Sequence, residues 1–392
     1  MEYITAAEAA EKWGVTPRQV QRLLAANRIP HVKKYHRSWM IPTDAEKPDD
    51  QRREDMAANR SLSSALNHAI ASTYIPAPHD NPEAIFDIIF EKKLWPIPEI
   101  GFAYASGDFE RVKRCFFQIG DDDAVKLGAC PVTIAAAISM GDYPFYLEVE
   151  AYLNDVVKTT PCADVSAFAQ LALSGAYLGA GAPNMVPDWL KDGDFSALPP
   201  SAKPTAACSR VQYFRWQGNF ELMLAVAQTT LALCAAQHGI SYEDTYLRIL
   251  CAAAHYTLGR ADEARQYLLD TMRINLPHGF ITPFAELMPL FGGLLEQCLE
   301  KEFPQYYDGV IGQWKRTFTN WLTFHNRFTR DHITLILPLR DYEMARLVAH
   351  RVPYAKIAKQ YNLSVGRLNN IMRKIYSELF VNNREELAKM IL

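Results

Sequence analysis

Seven cysteines stand in 392 residues, at 115, 130, 162, 208, 234, 251 and 298, and no two form a Cys-x-x-Cys pair. An odd, scattered set excludes a disulfide framework and predicts reduced thiols used as small core residues. The signatures of catalysis are missing too. There is no Gly-x-Ser-x-Gly, no His-Glu-x-x-His, no Gly-x-Gly-x-x-Gly, no Gly-x-x-x-x-Gly-Lys-Ser/Thr and no metal-spaced Cys/His cluster. Hydrolase elbows, zinc peptidase helices, dinucleotide folds and P-loops are thereby excluded, and the expectation is a chain that is not an enzyme and uses no cofactor. His31 and His36 are spaced so that a metal could bridge them, but they read as solvated or phosphate-facing, and no metal is expected. The N-terminus lacks the basic-apolar-small pattern of a signal peptide, which predicts a cytoplasmic protein. Two long runs lack charge, Val165–Pro187 and Leu222–Tyr242. Their Pro, Gln, Asn, Thr and His content makes them buried helices rather than membrane spans, so no membrane partner is expected.

Acidic side chains are absent from two stretches. Lys12–Thr43 and Met344–Ser377 each hold seven Lys/Arg and no Asp or Glu. Residues 1–53 carry ten basic and seven acidic side chains, 331–392 carry ten and six, and 54–330 carry 21 and 31. A near-neutral total of −3 thus conceals two positive ends on an acidic body, the footprint of two nucleic-acid modules.

At the C-terminal end, Met344, Leu347 and Val348, then Ile357, Ala358 and Tyr361, then Leu368, Ile371, Met372, Ile375 and Tyr376 recur at helical spacing. They predict three short helices that bury one face each. Between the second and third, Asn362 suits a left-handed turn, Leu363 plugs the core and Ser364 suits an N-cap. This is a helix-turn-helix. The third helix turns Arg367, Asn369, Asn370, Arg373 and Lys374 outward. Arg and Asn pair bidentately with guanine and adenine edges in a major groove.

The segment resembles the C-terminal DNA-binding domain of LuxR-type regulators, aligned without a gap from Leu337 to Leu387. The matching residues are Arg340, Glu343, Lys356-Ile357-Ala358, Leu363-Ser364, Ile375, Leu379, Val381 and Asn383-Arg384-x-Glu386-Leu387. The family's glycine after the first helix is Arg351 here, its Thr-Pro at the domain entrance is Pro338-Leu339, and its recognition-helix Val-Lys-x-His is Leu368-Asn369-Asn370-Ile371. The resemblance implies a recognition helix of phosphate-binding charge with little base selection at Asn369. It also implies pairing of two chains through the last helix, where Asn383 and Glu386 make a cap and Leu387, Met390 and Ile391 an apolar strip.

At the other end, Thr5-Ala6-Ala7-Glu8 is a capping box, Gly14 ends the helix it starts, and Thr16-Pro17 opens a second one. The second helix buries Val20, Leu23 and Leu24, exposes Arg18, Gln19 and Arg22, and closes at Asn27. Val32–Tyr35 and Ser38–Ile41 read as a hairpin around His36-Arg37. The stretch from Tyr3 to about Pro48 resembles the excisionase-like branch of MerR-type winged helix-turn-helix domains. The residues that carry this are Ala9-Ala10-Glu11-Lys12-Trp13-Gly14-Val15-Thr16-Pro17-Arg18-x-Val20-Gln21-x-Leu23, Arg28-Ile29-Pro30 and Arg37-Ser38-Trp39-Met40-Ile41-Pro42. The resemblance implies that Arg18, Gln19 and Arg22 enter a groove and that Lys33, Lys34 and Arg37 ride on the wing.

Residues 48–82 read as a linker, helical in part over Met56–Ile70. From 83 to 330 a turn signature recurs at Gly107, Gly141, Gly179, Gly218 and Gly259, at intervals of 34, 38, 39 and 41 residues. These periods are near those of tetratricopeptide repeats, with Gly as left-handed cap and Asp or Asn opening the next helix. Residues 188–204 read as an irregular, Pro-rich loop. His278-Gly279-Phe280-Ile281-Thr282-Pro283-Phe284-Ala285-Glu286 resembles the end of the helical-repeat sensor domain of MalT-type regulators, and the aromatic stripe Trp314, Phe318, Trp321 reads as core.

The expected architecture is mostly α: a winged helix-turn-helix over 1–47, a linker over 48–82, a TPR-like α-solenoid over 83–330, and a LuxR-type helix-turn-helix over 331–392. The expected function is a bacterial-type, DNA-binding transcriptional regulator whose middle senses a small-molecule or protein inducer. Its partners would be double-stranded DNA and a second copy of the chain. The candidate DNA contacts are Thr16, Arg18, Gln19, Arg22, Lys33, Lys34, Arg37, Lys356, Ser364, Arg367, Asn369, Asn370, Arg373 and Lys374. The alternative is an interaction scaffold whose helix-turn-helix units bind protein.

Overall fold

The computed structural model describes residues 2–25, 27–35, 38–48, 51–71, 92–234, 242–330, 337–379 and 381–391. Among these residues the fold is mostly helical, with three short strands, and it divides into two compact units, Met1–Ser61 and Leu62–Leu392.

In the first unit, Thr5 and Glu8 cap each other's backbone at the start of α1, Ala6–Lys12. Helix α2, Pro17–Ala25, follows, with Gly14 and Asn27 at φ +63° and +57°. Strands β1 (Tyr3–Thr5), β2 (Lys33–Tyr35) and β3 (Ser38–Pro42) form an antiparallel sheet of order β1-β3-β2. The hairpin is where the alternation predicted it. Strand β1 was not anticipated, because three residues before a capping box carry no period of their own. Ala9, Ala10, Val20, Leu24, Ile29 and Ile41 make a small core. The wing tip His36-Arg37 lies outside the described residues.

Helix α3, Gln51–Ala71, spans the division between the units. Its end is no spacer: Leu66 and Ile70 are buried in the second unit's core. Then come α4 (Pro96–Ala105), α5 (Phe109–Phe117), α6 (Asp123–Met140), α7 (Tyr143–Thr159), α8 (Ala163–Gly179), α9 (Asp188–Asp192), α10 (Lys203–Trp216), α11 (Phe220–Cys234), α12 (Tyr242–Thr257), α13 (Ala261–Asn275), α14 (Thr282–Leu287), α15 (Leu294–Glu302) and α16 (Pro304–Thr329). Short turns fold the chain back, so consecutive helices pack against each other. Asp108, Asp142 and Asn219 cap the following helices with their side chains. Gly107, Gly141, Gly218 and Gly259 are left-handed as expected. Gly179 is not: it is the last residue of α8, where a Cβ would stand 2.6 Å from the Trp321 ring, and Gly181 makes the turn at φ +77°. The stretch 188–204 is more regular than its prolines suggested, holding α9, a 3-10 turn and the start of α10. Helix α6 is long and apolar enough to cross a membrane by length and composition, but 67% of it is buried inside the fold.

The C-terminal helices are α17 (Leu339–Ala349), α18 (Tyr354–Gln360), α19 (Val365–Glu378) and α20 (Arg384–Ile391). Asn362 is left-handed and Ser364 caps α19 by accepting from the Arg367 N–H at 3.1 Å. These helices are not a free-standing bundle. Met344, Ile357, Leu368 and Leu387 belong to one continuous core with α10–α16, while a second core holds α3–α8. Leu387 and Ile391, expected to form a strip on the outside, are buried against it.

Candidate functional site: basic helices and a central cavity

Helix α19 has two chemically opposite sides. Leu368, Met372 and Ile375 are buried. Arg367, Asn369, Asn370, Arg373 and Lys374 are exposed, as are Lys356 on α18 and the cap Ser364. Lys374 lies 3.5 Å from Glu378 and in the field of Asp341 as well. Of the family-like residues, Arg340 stays exposed while donating to the Tyr361 carbonyl at 3.1 Å, and Glu343 is half-buried, accepting from the Tyr361 hydroxyl at 3.2 Å.

On the first unit, Thr16, Arg18, Gln19 and Arg22 are exposed along α2. The Gln19 side-chain oxygen is engaged, accepting from the Thr16 N–H at 2.9 Å in a reciprocal cap. Lys33 and Lys34 lie 5.0 and 5.4 Å from the Tyr3 and Trp39 rings. The predicted contact Arg37 is outside the described residues.

The second unit encloses a cavity of about 240 Å³. One wall is α16, whose Trp314, Phe318, Trp321 and His325 recur at helical spacing along it. The stripe read as core therefore lines a cavity. Opposite stand Tyr104 from α4, Tyr242 and Tyr246 from α12, and Arg215 and Trp216 from α10; α17 closes one end with Tyr342 and Glu343. The tyrosine rings of 242 and 246 are 4.6 Å apart, and those of 104 and 242 are 5.9 Å apart.

Among these rings sits Glu286. Its two oxygens accept from the Tyr104 hydroxyl and, at 2.5 Å, from the Tyr246 hydroxyl. No Lys or Arg among the described residues forms an ion pair with it. Burial pushes its carboxyl up to about 7, against the two hydroxyls that pull it down. Burial, and then the Glu286 charge, push the Tyr104 and Tyr246 hydroxyls up. Glu286 closes the very segment that resembles a sensor-domain end, but a single acid in an apolar run gave no sign of its role. The tyrosines come from helices some 140 residues apart in sequence and gave none either.

No family model matches the chain, and no curated protein or solved structure is significantly similar to it.

At the cavity's α17 end, Glu343 is raised to about 7 by burial, opposed by the nearby Arg215. Arg215 itself is lowered to about 10 by burial. The guanidiniums of Arg215 and Arg346 each lie 4.1 Å from the Trp216 ring centroid, and Arg346 donates to the Trp216 carbonyl at 3.0 Å. The cavity wall and the C-terminal helices thus share one set of residues. Of the thiols, Cys208 lines the cavity, while burial raises Cys115 to about 11 and Cys251 to about 12; all three are free.

Proposed function

We propose that this protein is a DNA-binding transcriptional regulator whose helical middle senses a ligand. The reading takes residues 1–47 as a winged helix-turn-helix, the middle as a repeat-built sensor and the C-terminal helices as a LuxR-like helix-turn-helix. The observation that carries it is the face of α19. A helix with Leu368, Met372 and Ile375 wholly buried holds Arg367, Asn369, Asn370, Arg373 and Lys374 in fixed register on its open side. Positive charge there meets phosphates and the asparagines meet base edges. Function then follows from coupling. Tyr342 and Glu343 belong both to the cavity wall and to the first helix of this module, so a ligand that moves them alters how the module is held. The deciding experiment is a mobility shift with full-length protein on genomic fragments at two salt concentrations. A regulator shifts DNA, and the shift weakens steeply as salt rises. A protein that shifts no fragment at low salt is the scaffold instead.

A further inference from the structure

We propose that the central cavity binds a hydrophobic organic cation, an amine or quaternary ammonium on an apolar body, with its charged centre held by Glu286 among Tyr104, Tyr242 and Tyr246. This deepens the sensing role above but is tested by binding alone, so its failure and a failure to bind DNA are separable.

The argument begins with charge. Three carboxylates line the cavity, Glu243, Glu286 and Glu343, against one guanidinium, Arg215. Glu243 accepts from the Thr205 hydroxyl at 2.7 Å. Glu343 lies in the field of Arg215. Glu286 has two phenol donors and no cation among the described residues. A buried carboxylate without a counter-charge is costly to ionise, and a cationic ligand removes that cost. The second observation is the set of rings. Tyr242 lies between the other two, its ring centroid 5.9 Å from that of Tyr104 and 4.6 Å from that of Tyr246. Aromatic faces attract a desolvated ammonium, and phenol oxygens already polarised toward Glu286 add to that field. The third is the remainder of the wall. Phe168, Leu171, Leu290, Phe318 and Leu322 give an apolar lining with no further charge of either sign. The volume, about 240 Å³, lies just under the usual range for ligand pockets, roughly 300–1,000 Å³, and favours a compact ligand. An organic anion is the poorer fit, since it would face the three carboxylates to reach Arg215.

The test uses full-length protein, tryptophan fluorescence from Trp314 and Trp321, and calorimetry. The probe is benzyltrimethylammonium, compared with its uncharged isostere neopentylbenzene and with phenylacetate. The cation should bind roughly tenfold or more tighter than the neutral isostere. Glu286→Gln should abolish that preference while leaving the thermal transition cooperative, and Tyr242→Leu should reduce it while leaving the carboxylate in place. Equal binding of charged and neutral probes, preferential binding of phenylacetate, an unchanged preference in Glu286→Gln, or no binding of the cation at about 10 mM would each overturn the proposal.

Discussion

Asn369 and the pair Arg373–Lys374 divide the chemistry of α19 between them. All three are exposed; in the proposed DNA-binding role, asparagine would read a base edge only at close range, whereas the two cations would act on phosphates through charge. Arg373→Ala with Lys374→Ala should weaken binding to every duplex alike and flatten the salt dependence. Asn369→Ala should change sequence preference little. Fluorescence anisotropy on random and selected duplexes measures both. On α2 the expectation is reversed: Arg18→Ala with Arg22→Ala should erase sequence preference, at about 1–3 kcal/mol per base-reading arginine.

Glu286 and Glu343 carry a pH signature. Each is raised to about 7 by burial from an ordinary value of 4.5. Between those values the folded chain keeps protons that the unfolded chain has released. Stability therefore falls as pH rises through the window and levels off above it. Comparing melts at about pH 5 and about pH 8, the fall in Tm should be smaller in a Glu286→Gln, Glu343→Gln variant than in the unaltered chain. An equal fall in both would show that these carboxyls stay charged throughout.

At the scale of the element, α20 is a structural helix. Asn383 caps it by accepting from the Glu386 N–H at 2.8 Å and donates its side-chain amide to the Glu386 carboxylate at 2.8 Å, and Arg384 donates to the Val348 carbonyl at 2.6 Å. Leu387 is fully buried. Its replacement by Ala should cost about 2–5 kcal/mol in urea unfolding. Truncation after Asn383 should unfold the C-terminal helices rather than merely separate a dimer. Helix α18 is held from the other side. The Tyr256 hydroxyl donates to the Gln360 carbonyl at 2.8 Å, Lys359 to Gly259 at 3.2 Å and Asn362 to Gly292 at 3.2 Å. Gly292 sits at φ +50°, and a Cβ there would stand 2.2 Å from the Gln360 carbonyl oxygen. Gly292→Ala should therefore loosen α18 and α19 from the body, seen as faster amide hydrogen exchange over 354–379 with slow exchange retained in α6 and α8.

Across the whole molecule, the charge segregation and the cavity belong to different levels of organisation. Much of the chain's local form was legible in its residues. The Thr5–Glu8 box, the Ser364 cap, the left-handed Asn362 and four of the five turn glycines were readable because each depends on neighbours within four positions. Arg351 adopts φ +62°, a turn that the residue's own preference conceals. Burial on α20 was misread because amphipathic spacing reveals an apolar strip but not what covers it. The covering surface is α17, more than thirty residues away.

The residues by themselves determined many helix starts and turns and which ends are positive, since these follow from short-range backbone sterics and from composition. The tertiary structure alone decided that Trp314, Phe318 and Trp321 face a cavity rather than a filled core. It alone brought Tyr104, Tyr246 and Glu286 together, and joined the C-terminal helices to the body through Trp216, Glu343 and Arg346. Periodicity reports only that a face is apolar; whether the facing helices meet or stand apart depends on packing among segments 140 and more residues distant, which no local pattern encodes.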